Sequence, residues 1–335
     1  MSRTVIPEGY ASLLNLYETQ DAIELIKKTF QENLCRALDL RRVSAPLFVD
    51  EGSGLNDDLN GVERPVSFDL LETGRNAQVV HSLAKWKRLA LKVYGFPEGS
   101  GLYTDMNAIR RDETLDNLHS VYVDQWDWEK VIRREDRTPE VLKQTVERIV
   151  SAICMTADVL GWKYPVLKRN VHRTVSFITT QELEDLYPDM TGKERENAYV
   201  KDHPTTCIMQ IGKKLRSGKP HDGRAPDYDD WDLNCDIMLW NDILGCALEI
   251  SSMGIRVSPE SLDRQLTLSG HDERRELPFH KMLLAGELPY TVGGGIGQSR
   301  LCMQLLHKAH IGEVQSSSWD EDTRRICAEH HVKLL

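Results

Sequence analysis

The sequence predicts an α+β fold in which a mostly antiparallel β-sheet is flanked by helices. Helical patterns occur at several separated places along the 335 residues, whereas strand patterns cluster between about residue 204 and residue 300. This order differs from the regular alternation of strands and helices that builds a parallel sheet. Since no linker-like stretch divides the chain, we expect a single domain over residues 1–335.

The N-terminal region predicts a helix followed by a short strand. Apolar residues recur at helical spacing from Asp21 to Leu38, and Asp21 with Glu24 has the pattern of a capping box. The next run, Val43 to Val49, is strand-like but contains Pro46, which cannot donate a ladder hydrogen bond. We therefore expect this strand at a sheet edge or at an interface.

The rest of the chain predicts helices with clear start signals and strands between them. A long helix begins at Thr138 and Pro139 and stops near Gly161. Further helix starts are predicted at Thr179 with Glu182, Thr191 with Glu194, and Ser258-Pro259-Glu260, and an apolar helix from Leu301 to His307. Strands are predicted at His119–Trp128, Thr206–Ile211, Asp236–Trp240, Ala247–Ile255 and on the approach to Gly293.

Composition and charge exclude several classes of protein. A content of 40% hydrophobic and 28% charged residues excludes disordered and fibrous chains. The net charge of −10 argues against nucleic acid as the main partner. No secretory signal and no run of about 18 apolar residues is found, so we expect a cytoplasmic protein without a membrane segment. The seven cysteines lack a Cys-x-x-Cys pair and predict reduced thiols.

A glycine-rich segment is the first candidate for ligand binding. Gly293 to Arg300 fits G-x-G-x-G-x-x-R, and it fits neither the dinucleotide fingerprint nor the P-loop. Glycines let the backbone approach a ligand closely, and an arginine at a helix start can bind an anion. A plain glycine-rich turn followed by a surface arginine explains the same residues.

Three more segments each allow two interpretations. Arg110 to Glu113 either places a guanidinium on a phosphate or forms a solvated charged hairpin. In the strand Val121–Trp128, Gln125 and Asp127 share a face with apolar residues, which indicates a pocket floor or an exposed strand end. The run His81–Arg88 carries three cations that either recognise a substrate carboxylate or form a solvated helix face.

Acidic residues after residue 220 suggest a metal site. Glu249 lies inside an apolar strand and Asp236 opens another, and such carboxylates need a cation or hydrogen-bond donors. Oxygen ligands of this kind suit Mg²⁺ held together with nucleotide phosphates. A salt bridge to Arg256 is the alternative for Glu249. Because these two residues are seven apart, both can face one pocket only if the strand bends or bulges at Gly254.

Taken in order, these segments resemble class II aminoacyl-tRNA synthetases and, more narrowly, the asparagine synthetase A family. Gly293–Arg300 is similar to motif 3, Arg110 with its acidic neighbours to motif 2, and the N-terminal helix with the Pro46 strand to motif 1. The resemblance covers about residue 15 to residue 335. The longer blocks that resemble the narrower family are His81–Arg88, Ser120–Trp128, Arg224–Trp231, Glu249–Arg256 and Gly293–Arg300.

The resemblance implies an ATP-dependent ligase that makes asparagine from aspartate and ammonia through a β-aspartyl-adenylate. It also implies Mg²⁺, and a homodimer formed through the N-terminal helix and the Pro46 strand. By this resemblance Arg110 contacts the α-phosphate, and Arg300 contacts the ATP phosphates across the adenine. Gly293, Gly295 and Gly297 complete the ATP site, and Asp236 and Glu249 hold Mg²⁺.

The resemblance also assigns an aspartate site. Arg256 is the first candidate to pair with the side-chain carboxylate of aspartate, and Lys87 assists it. Asp57, Gln125, Asp127 and Asp229 are expected around the α-amino group and the incoming ammonia. Ser82 and Ser252 are the expected hydrogen-bond donors. Asp57, Gln125 and Asp127 thereby join Arg110 and Arg300 as expected catalytic residues.

Three other functions compete with this one. A tRNA-charging or protein-modifying synthetase using aspartate-like substrates is disfavoured by the net charge of −10 and by the lack of room for an anticodon-binding domain. An inactive nucleotide sensor is disfavoured because Arg110, Asp236, Glu249 and Arg300 are all present. A glutamine-dependent enzyme would need a glutaminase domain with a nucleophilic cysteine, so free ammonia is the expected nitrogen donor.

Overall fold

Two β-sheets form the frame of the protein. The computed structural model describes residues 3–57 and 63–335. Many strands begin or end within a few residues of the predicted bounds, but several were not predicted at all. The strands are β1 (Leu40–Arg42), β2 (Phe48–Asp50), β3 (Ser67–Leu70), β4 (Arg75–Val79), β5 (Gly101–Ile109), β6 (Tyr122–Val131), β7 (Ser176–Thr179), β8 (Thr205–Met209), β9 (Asp229–Asn241), β10 (Cys246–Arg256) and β11 (Thr291–Gly297).

The large sheet confirms the predicted antiparallel character. Its strand order is β1-β5-β6-β11-β10-β9-β8-β7, and the pairs from β5 to β8 are antiparallel. The two outermost pairs, β1 with β5 and β7 with β8, are parallel. A small antiparallel sheet with the order β2-β4-β3 lies apart from it.

Helices surround these sheets. Those predicted at Thr179, Thr191 and Ser258 all begin with the expected side-chain caps, and the long helix predicted from Pro139 extends two residues past Gly161. The helices are α1 (Leu16–Leu38), α2 (Ala84–Val93), α3 (Pro139–Lys163), α4 (Thr180–Leu186), α5 (Gly192–Asp202), α6 (Pro259–Ser269), α7 (Pro278–Leu284), α8 (Gln298–Leu305) and α9 (Glu321–Glu329). None of the helices in the described residues is both long and apolar enough to cross a bilayer.

The start predicted for α1 is wrong by five residues. Its capping box is formed by Asn15 and Glu18, and Asn15 accepts a hydrogen bond from the Glu18 N–H at 3.0 Å. Asp21 lies inside the helix and instead accepts a hydrogen bond from Lys163 of α3 at 2.5 Å. The earlier polar residue, Asn15, therefore forms the cap, and the Asp21 carboxylate joins α1 to α3.

The prediction of one continuous strand from Val43 to Val49 is also wrong. The chain leaves the large sheet after Arg42 and joins the small sheet at Phe48, so Pro46 lies between two short strands. Proline lacks the N–H that a continuous ladder would require, which agrees with this crossover. Two other strand starts differ: β6 begins at Tyr122 rather than His119, and β9 begins at Asp229 rather than Asp236.

The hydrophobic core lies where α1 and α3 pack against the large sheet. Phe30 of α1 contacts Trp126 of β6 with ring centroids 4.6 Å apart, and Trp128 is equally buried. Because side chains alternate along a strand, Gln125 and Asp127 point to the opposite face. That second face carries the candidate site.

Candidate active site

A cavity of about 370 Å³ opens on the face of the large sheet opposite the core. The predicted site residues line it, apart from Gly293 and Asp236, and Asp236 pairs with Arg224 of the lining. Those that line it are Asp57, Ser82, Lys87, Arg110, Gln125, Asp127, Asp229, Glu249, Ser252, Arg256, Gly295, Gly297 and Arg300. The structure therefore brings these predicted residues together at one cavity, and their roles stay predictions.

The cations of His81–Arg88 are not a solvated helix face. Lys85, Lys87 and Arg88 of α2 are at most 4% exposed. The Lys87 ammonium contacts the Asp127 carboxylate and donates to the carbonyl oxygen of Gly294 at 2.9 Å. Burial lowers the pKa of Lys87, although the nearby Asp127 charge opposes this. The interpretation as a solvated face is wrong, because tertiary contacts supply carboxylate partners to the two lysines and backbone carbonyl oxygens to Arg88, and no local pattern reveals these partners.

Arg256 forms a deeply buried pair of salt bridges beside the pocket. Its Nη2 lies 2.8 Å from the Glu129 carboxylate and its Nη1 lies 2.5 Å from Asp229. The Thr291 hydroxyl also donates to Glu129 at 2.6 Å. Burial by itself would raise the pKa of Glu129, but the Arg256 charge and these hydrogen bonds outweigh it and lower that pKa. Arg256 is therefore held rigidly as a cation.

Bulges bring Glu249 and Arg256 to the same cavity, as predicted. The register between β10 and β9 shifts once between Glu249 and Ser251 and again between Gly254 and Arg256. A Cβ atom on Gly254 would lie 2.8 Å from Oδ1 of Asp229, so only glycine fits at this position. Glu249 pairs with Arg300, at 3.7 Å, and not with Arg256.

The glycine-rich segment is a strand, so the plain-turn interpretation is wrong. Residues 291–297 form β11, which pairs with β6 on one side and β10 on the other. A Cβ atom on Gly294 would lie 2.5 Å from the Cβ of Met253, and one on Gly295 would lie 2.3 Å from Oε1 of Gln125. The glycines therefore admit neighbouring side chains and keep this part of the cavity wall close to the backbone.

Arg300 lies in the first turn of α8, which follows β11 directly. Its Nη1 donates to the Glu249 carbonyl oxygen at 3.1 Å. Arg110 follows β5, its side chain is 25% exposed, and its buried Nε has no hydrogen-bond partner. The Arg110 side chain is thus partly buried and still has an N–H group without an acceptor, which suits a group that binds an anion.

Arg224 is a site residue to which sequence reasoning gave no role. Its Nη2 lies 2.6 Å from the Asp236 carboxylate, and its Nη1 contacts the Ser252 hydroxyl. Burial raises the pKa of Asp236 to about 7, Arg224 opposes this rise, and the Glu249 charge adds to it. The sequence did offer one signal for Arg224, because this residue opens the Arg224–Trp231 block on which the family resemblance rests in part.

The two predicted metal ligands fit a hard cation in their chemistry. No group of three or more His, Cys, Asp or Glu side chains that could hold a metal occurs within residues 3–57 and 63–335. The negative charge of Glu249 helps to raise the pKa of Asp236, and the two residues would supply two carboxylates to a cation. Mg²⁺ commonly binds one or two carboxylates and completes its shell with phosphates and water. The residues present therefore suit a metal that arrives with a nucleotide.

Asp57 and Asp227 are held by hydrogen bonds from distant segments. Ser82 donates to the Asp57 carboxylate at 3.0 Å, and the five residues after Asp57 lie outside the described residues. Asp227 is completely buried. Its carboxylate accepts hydrogen bonds from three side chains of separate segments: Lys85 at 3.3 Å, Arg274 at 3.0 Å and His280 at 3.0 Å. Asp227 thereby ties the Arg224–Asp229 segment to α2 and α7.

The chain matches a known family over most of its length. Residues 17–331 match the family model described as aspartate-ammonia ligase. Over 336 aligned residues the chain is 58% identical to the aspartate–ammonia ligase of Clostridium perfringens strain 13, with 100% of both chains covered. It is 56% identical to that of Limosilactobacillus reuteri, covering 98% of this chain and 99% of the relative.

Solved structures with a similar fold include asparaginyl-tRNA synthetases. Asparaginyl-tRNA synthetase of Entamoeba histolytica in complex with asparaginyl-adenylate aligns with a TM-score of 0.64 and 14% identity, over 89% of this chain and 66% of that one. The Pyrococcus horikoshii enzyme, also complexed with asparaginyl-adenylate, gives a TM-score of 0.62 at 15% identity, over 94% and 74%. At such identity the likeness concerns the fold.

Proposed function

Because the chain belongs to the aspartate–ammonia ligase family and makes asparagine from aspartate with ATP, we propose that its cavity carries both steps of an adenylate mechanism. In the first step the β-carboxylate oxygen of aspartate attacks the α-phosphorus of ATP, and the bond to the β-phosphate breaks to release pyrophosphate. In the second step ammonia attacks the β-carbonyl carbon, the C–O bond to AMP breaks, and the nitrogen loses a proton. Adenylation supplies the leaving group that a free carboxylate lacks.

One observation carries this proposal. Arg110, Arg300 and Glu249, the proposed nucleotide and metal residues, line the same cavity as Lys87 and Arg256, the proposed aspartate residues. A phosphate anhydride and a carboxylate bound in one cavity are already positioned to react, and the protein's main tasks are orientation and charge neutralisation. A cavity of about 370 Å³ is within the usual range for small-molecule sites.

We assign the nucleotide to the end of the cavity near Arg110 and Arg300. Both guanidiniums can bind phosphate oxygens, and the glycines of β11 allow the nucleotide to lie against the backbone. Asp236 and Glu249 would hold Mg²⁺, which when bound neutralises phosphate charge. The unpartnered Nε of Arg110 supports this assignment, since a buried donor without a partner is costly unless a ligand accepts from it.

We assign aspartate to the end near Arg256 and Lys87. Arg256 uses three of its five N–H groups on Glu129 and Asp229, so two N–H groups remain for a substrate carboxylate. Asp127 has a buried carboxylate oxygen without a partner, which suits an ammonium group of the substrate or incoming ammonia. Asp57, Gln125, Asp229, Ser82 and Ser252 complete the proposed contacts.

Assembly and location are also proposals. We propose a homodimer through α1 and the segment around Pro46, because large apolar side chains such as Leu47 and Phe48 are 55% and 40% exposed there. We propose a cytoplasmic location because all seven cysteines are free thiols, the state that a reducing compartment maintains. Sedimentation of the purified protein tests the dimer.

The activity test measures AMP, pyrophosphate and asparagine from purified protein supplied with Mg-ATP and aspartate, with and without ammonium. Ammonium-dependent asparagine matched one-to-one by AMP is the expected result. Adenylate formation that yields product only with tRNA or a protein acceptor would contradict the ligase mechanism. Asparagine accompanied by ADP and phosphate would contradict the adenylate.

A further inference from the structure

We propose that Arg224 and a divalent cation compete for the Asp236 carboxylate, so that the metal binds only after a nucleotide has drawn Arg224 away. This inference rests on the proposed role of Asp236 and Glu249 as Mg²⁺ ligands. Arg224 thereby acts on the metal through Asp236, by occupying or releasing that carboxylate. The proposal stands on four features of the described residues: the ion pair itself, the second arginine beside it, an unsatisfied donor, and the local chain path.

The ion pair places a cation on the carboxylate that the metal would use. Nη2 of Arg224 lies 2.6 Å from Oδ1 of Asp236, and the two side chains are only 10% and 14% exposed. The other end of the guanidinium is held by the Ser252 hydroxyl. In a site with so little water, two cations on one carboxylate repel each other strongly. Mg²⁺ therefore cannot bind Asp236 well while Arg224 remains there.

The second proposed ligand has a similar counter-ion. Nη1 of Arg300 lies 3.7 Å from the Glu249 carboxylate. The charges of these two carboxylates are offset by those of the two arginines, so free metal gains little by binding Asp236 and Glu249. Phosphate groups are strong partners for arginine, because their oxygens accept paired hydrogen bonds. A triphosphate would thus draw the arginines away and leave the carboxylates for the metal it carries.

Arg224 has an unused hydrogen-bond donor and a position at the cavity, and both favour an exchange of Asp236 for a phosphate. Its Nε is buried and has no hydrogen-bond partner, although Arg224 lines the cavity. Residue 224 lies in a segment without helix or strand, just before β9. Three residues later Asp227 is anchored by buried cations, so the Arg224 side chain and not the whole segment has to move. The released guanidinium would remain beside the nucleotide.

Metal binding tests the competition without relying on turnover. Mn²⁺, which shares the preference of Mg²⁺ for oxygen ligands, is titrated into the protein and followed by electron paramagnetic resonance. We expect wild type to bind Mn²⁺ weakly without nucleotide and much more tightly with a non-hydrolysable ATP analogue. Arg224→Met should bind Mn²⁺ at least about tenfold more tightly than wild type without the analogue, because the competing charged hydrogen bond is gone.

A matched control separates this effect from a change in net charge. Arg216 lies on the same stretch of chain, is 74% exposed and pairs with Asp185 at the surface. Arg216→Met should leave Mn²⁺ binding unchanged. Arg224→Gln, which keeps a hydrogen-bond donor near Asp236, is the second variant if Arg224→Met does not fold, and it should also show nucleotide-independent binding.

The outcomes distinguish this inference from the proposed metal site. If Asp236→Asn and Glu249→Gln weaken Mn²⁺ binding in the nucleotide complex but neither Arg224 variant gains binding without nucleotide, the competition is wrong and the metal site stands. If Asp236→Asn and Glu249→Gln leave Mn²⁺ binding unchanged in that complex, the metal site and the competition are both wrong. A gain in the Arg224 variants that Asp236→Asn abolishes supports both.

Discussion

The guanidinium of Arg256 and the carboxylate of Glu129 lie 2.8 Å apart, with at most 3% of either side chain exposed. They belong to β10 and β6, which are separated in the sheet by the glycine-rich strand β11. A Cβ atom on Gly293 of β11 would collide with the Glu129 carboxylate. The glycine strand therefore allows the ion pair to form across it, and the pair orients Arg256 toward the cavity.

Replacing Arg256 should impair both aspartate binding and folding. Arg256→Ala leaves Glu129 and Asp229 buried without their cation, which should lower the free energy of unfolding by about 3–5 kcal/mol. Arg256→Lys keeps the charge but loses the paired hydrogen bonds, so we expect a folded enzyme whose KM for aspartate rises at least about tenfold. The KM for ATP is the internal control. An unchanged KM for aspartate in Arg256→Lys and Arg256→Ala would remove Arg256 from the aspartate site.

Asp227 should matter for stability although it lies behind the cavity. Asp227→Asn keeps the shape of the side chain but removes the buried negative charge that faces Lys85, so we expect the free energy of unfolding to fall by about 3–5 kcal/mol. Chemical denaturation measures this change. Asp263→Asn is the matched control, because Asp263 is 64% exposed and its pair with Arg275 should contribute less than about 1 kcal/mol. Equal losses in the two variants would contradict this ranking.

His310 should make the protein less stable in mild acid. Burial lowers the pKa of His310 to about 4, well below its ordinary value of 6.5. Between about pH 6.5 and pH 4, the unfolded chain binds a proton at His310 that the folded protein does not bind. The contribution of neutral His310 to stability is therefore complete above pH 6.5 and is lost as the pH falls toward 4. The loss amounts to up to about 3 kcal/mol.

Denaturation curves between pH 7 and pH 4 check the His310 prediction. His310→Asn can still accept the hydrogen bond from the Gly312 N–H, which Nδ1 of His310 accepts at 3.0 Å. We expect this variant to lose less stability than wild type over that range. His330→Asn at an exposed position should follow the wild-type curve. A His310→Asn curve parallel to wild type would show that another group causes the acid sensitivity.

Two glycines of the same segment should differ in their tolerance of a methyl group. Gly294→Ala would place its Cβ 2.5 Å from the Met253 Cβ and 2.7 Å from the Ser252 carbonyl oxygen, and this backbone cannot yield. We expect a loss of about 2 kcal/mol or more in the free energy of unfolding. A Cβ atom on Gly297 would lie 3.2 Å from the Cβ of Arg300, a contact that a shift of a few tenths of an ångström relieves, so Gly297→Ala should lose less than about 1 kcal/mol. The reverse order in thermal or chemical denaturation would contradict this account of the strand.

Much of the local structure could be predicted because it depends on neighbours in the chain. The helix caps at Thr179, Thr191 and Ser258, and the placement of Gln125 and Asp127 on one strand face, follow from hydrogen-bonding and alternation rules that act over a few residues. Where two local solutions competed, prediction was weaker. The cap of α1 forms at Asn15, whereas Asp21 lies inside the helix and contacts α3, a helix more than a hundred residues away.

Strand β5 shows what local patterns miss. Gly101–Ile109 was not predicted as a strand, although it pairs along its whole length with β6. Asp105 and Asn107 interrupt its apolar pattern, and both accept hydrogen bonds from distant or cross-strand partners, Arg42 and Tyr122. Polar residues in a strand carry a weak signal unless their partners are known.

Local patterns were enough to predict the helices that begin with their own caps and a bulge near Gly254, and the family resemblance named the charged residues that we propose for the ligase. The folded chain was needed to show that Lys87 contacts Asp127, that Arg256 pairs with Glu129, and that Arg224 holds Asp236. Desolvation explains this difference. A buried charge needs an opposite charge or hydrogen-bond partners to offset its desolvation, and in this sheet those partners come mostly from strands and helices far away in the chain, which no local pattern can specify.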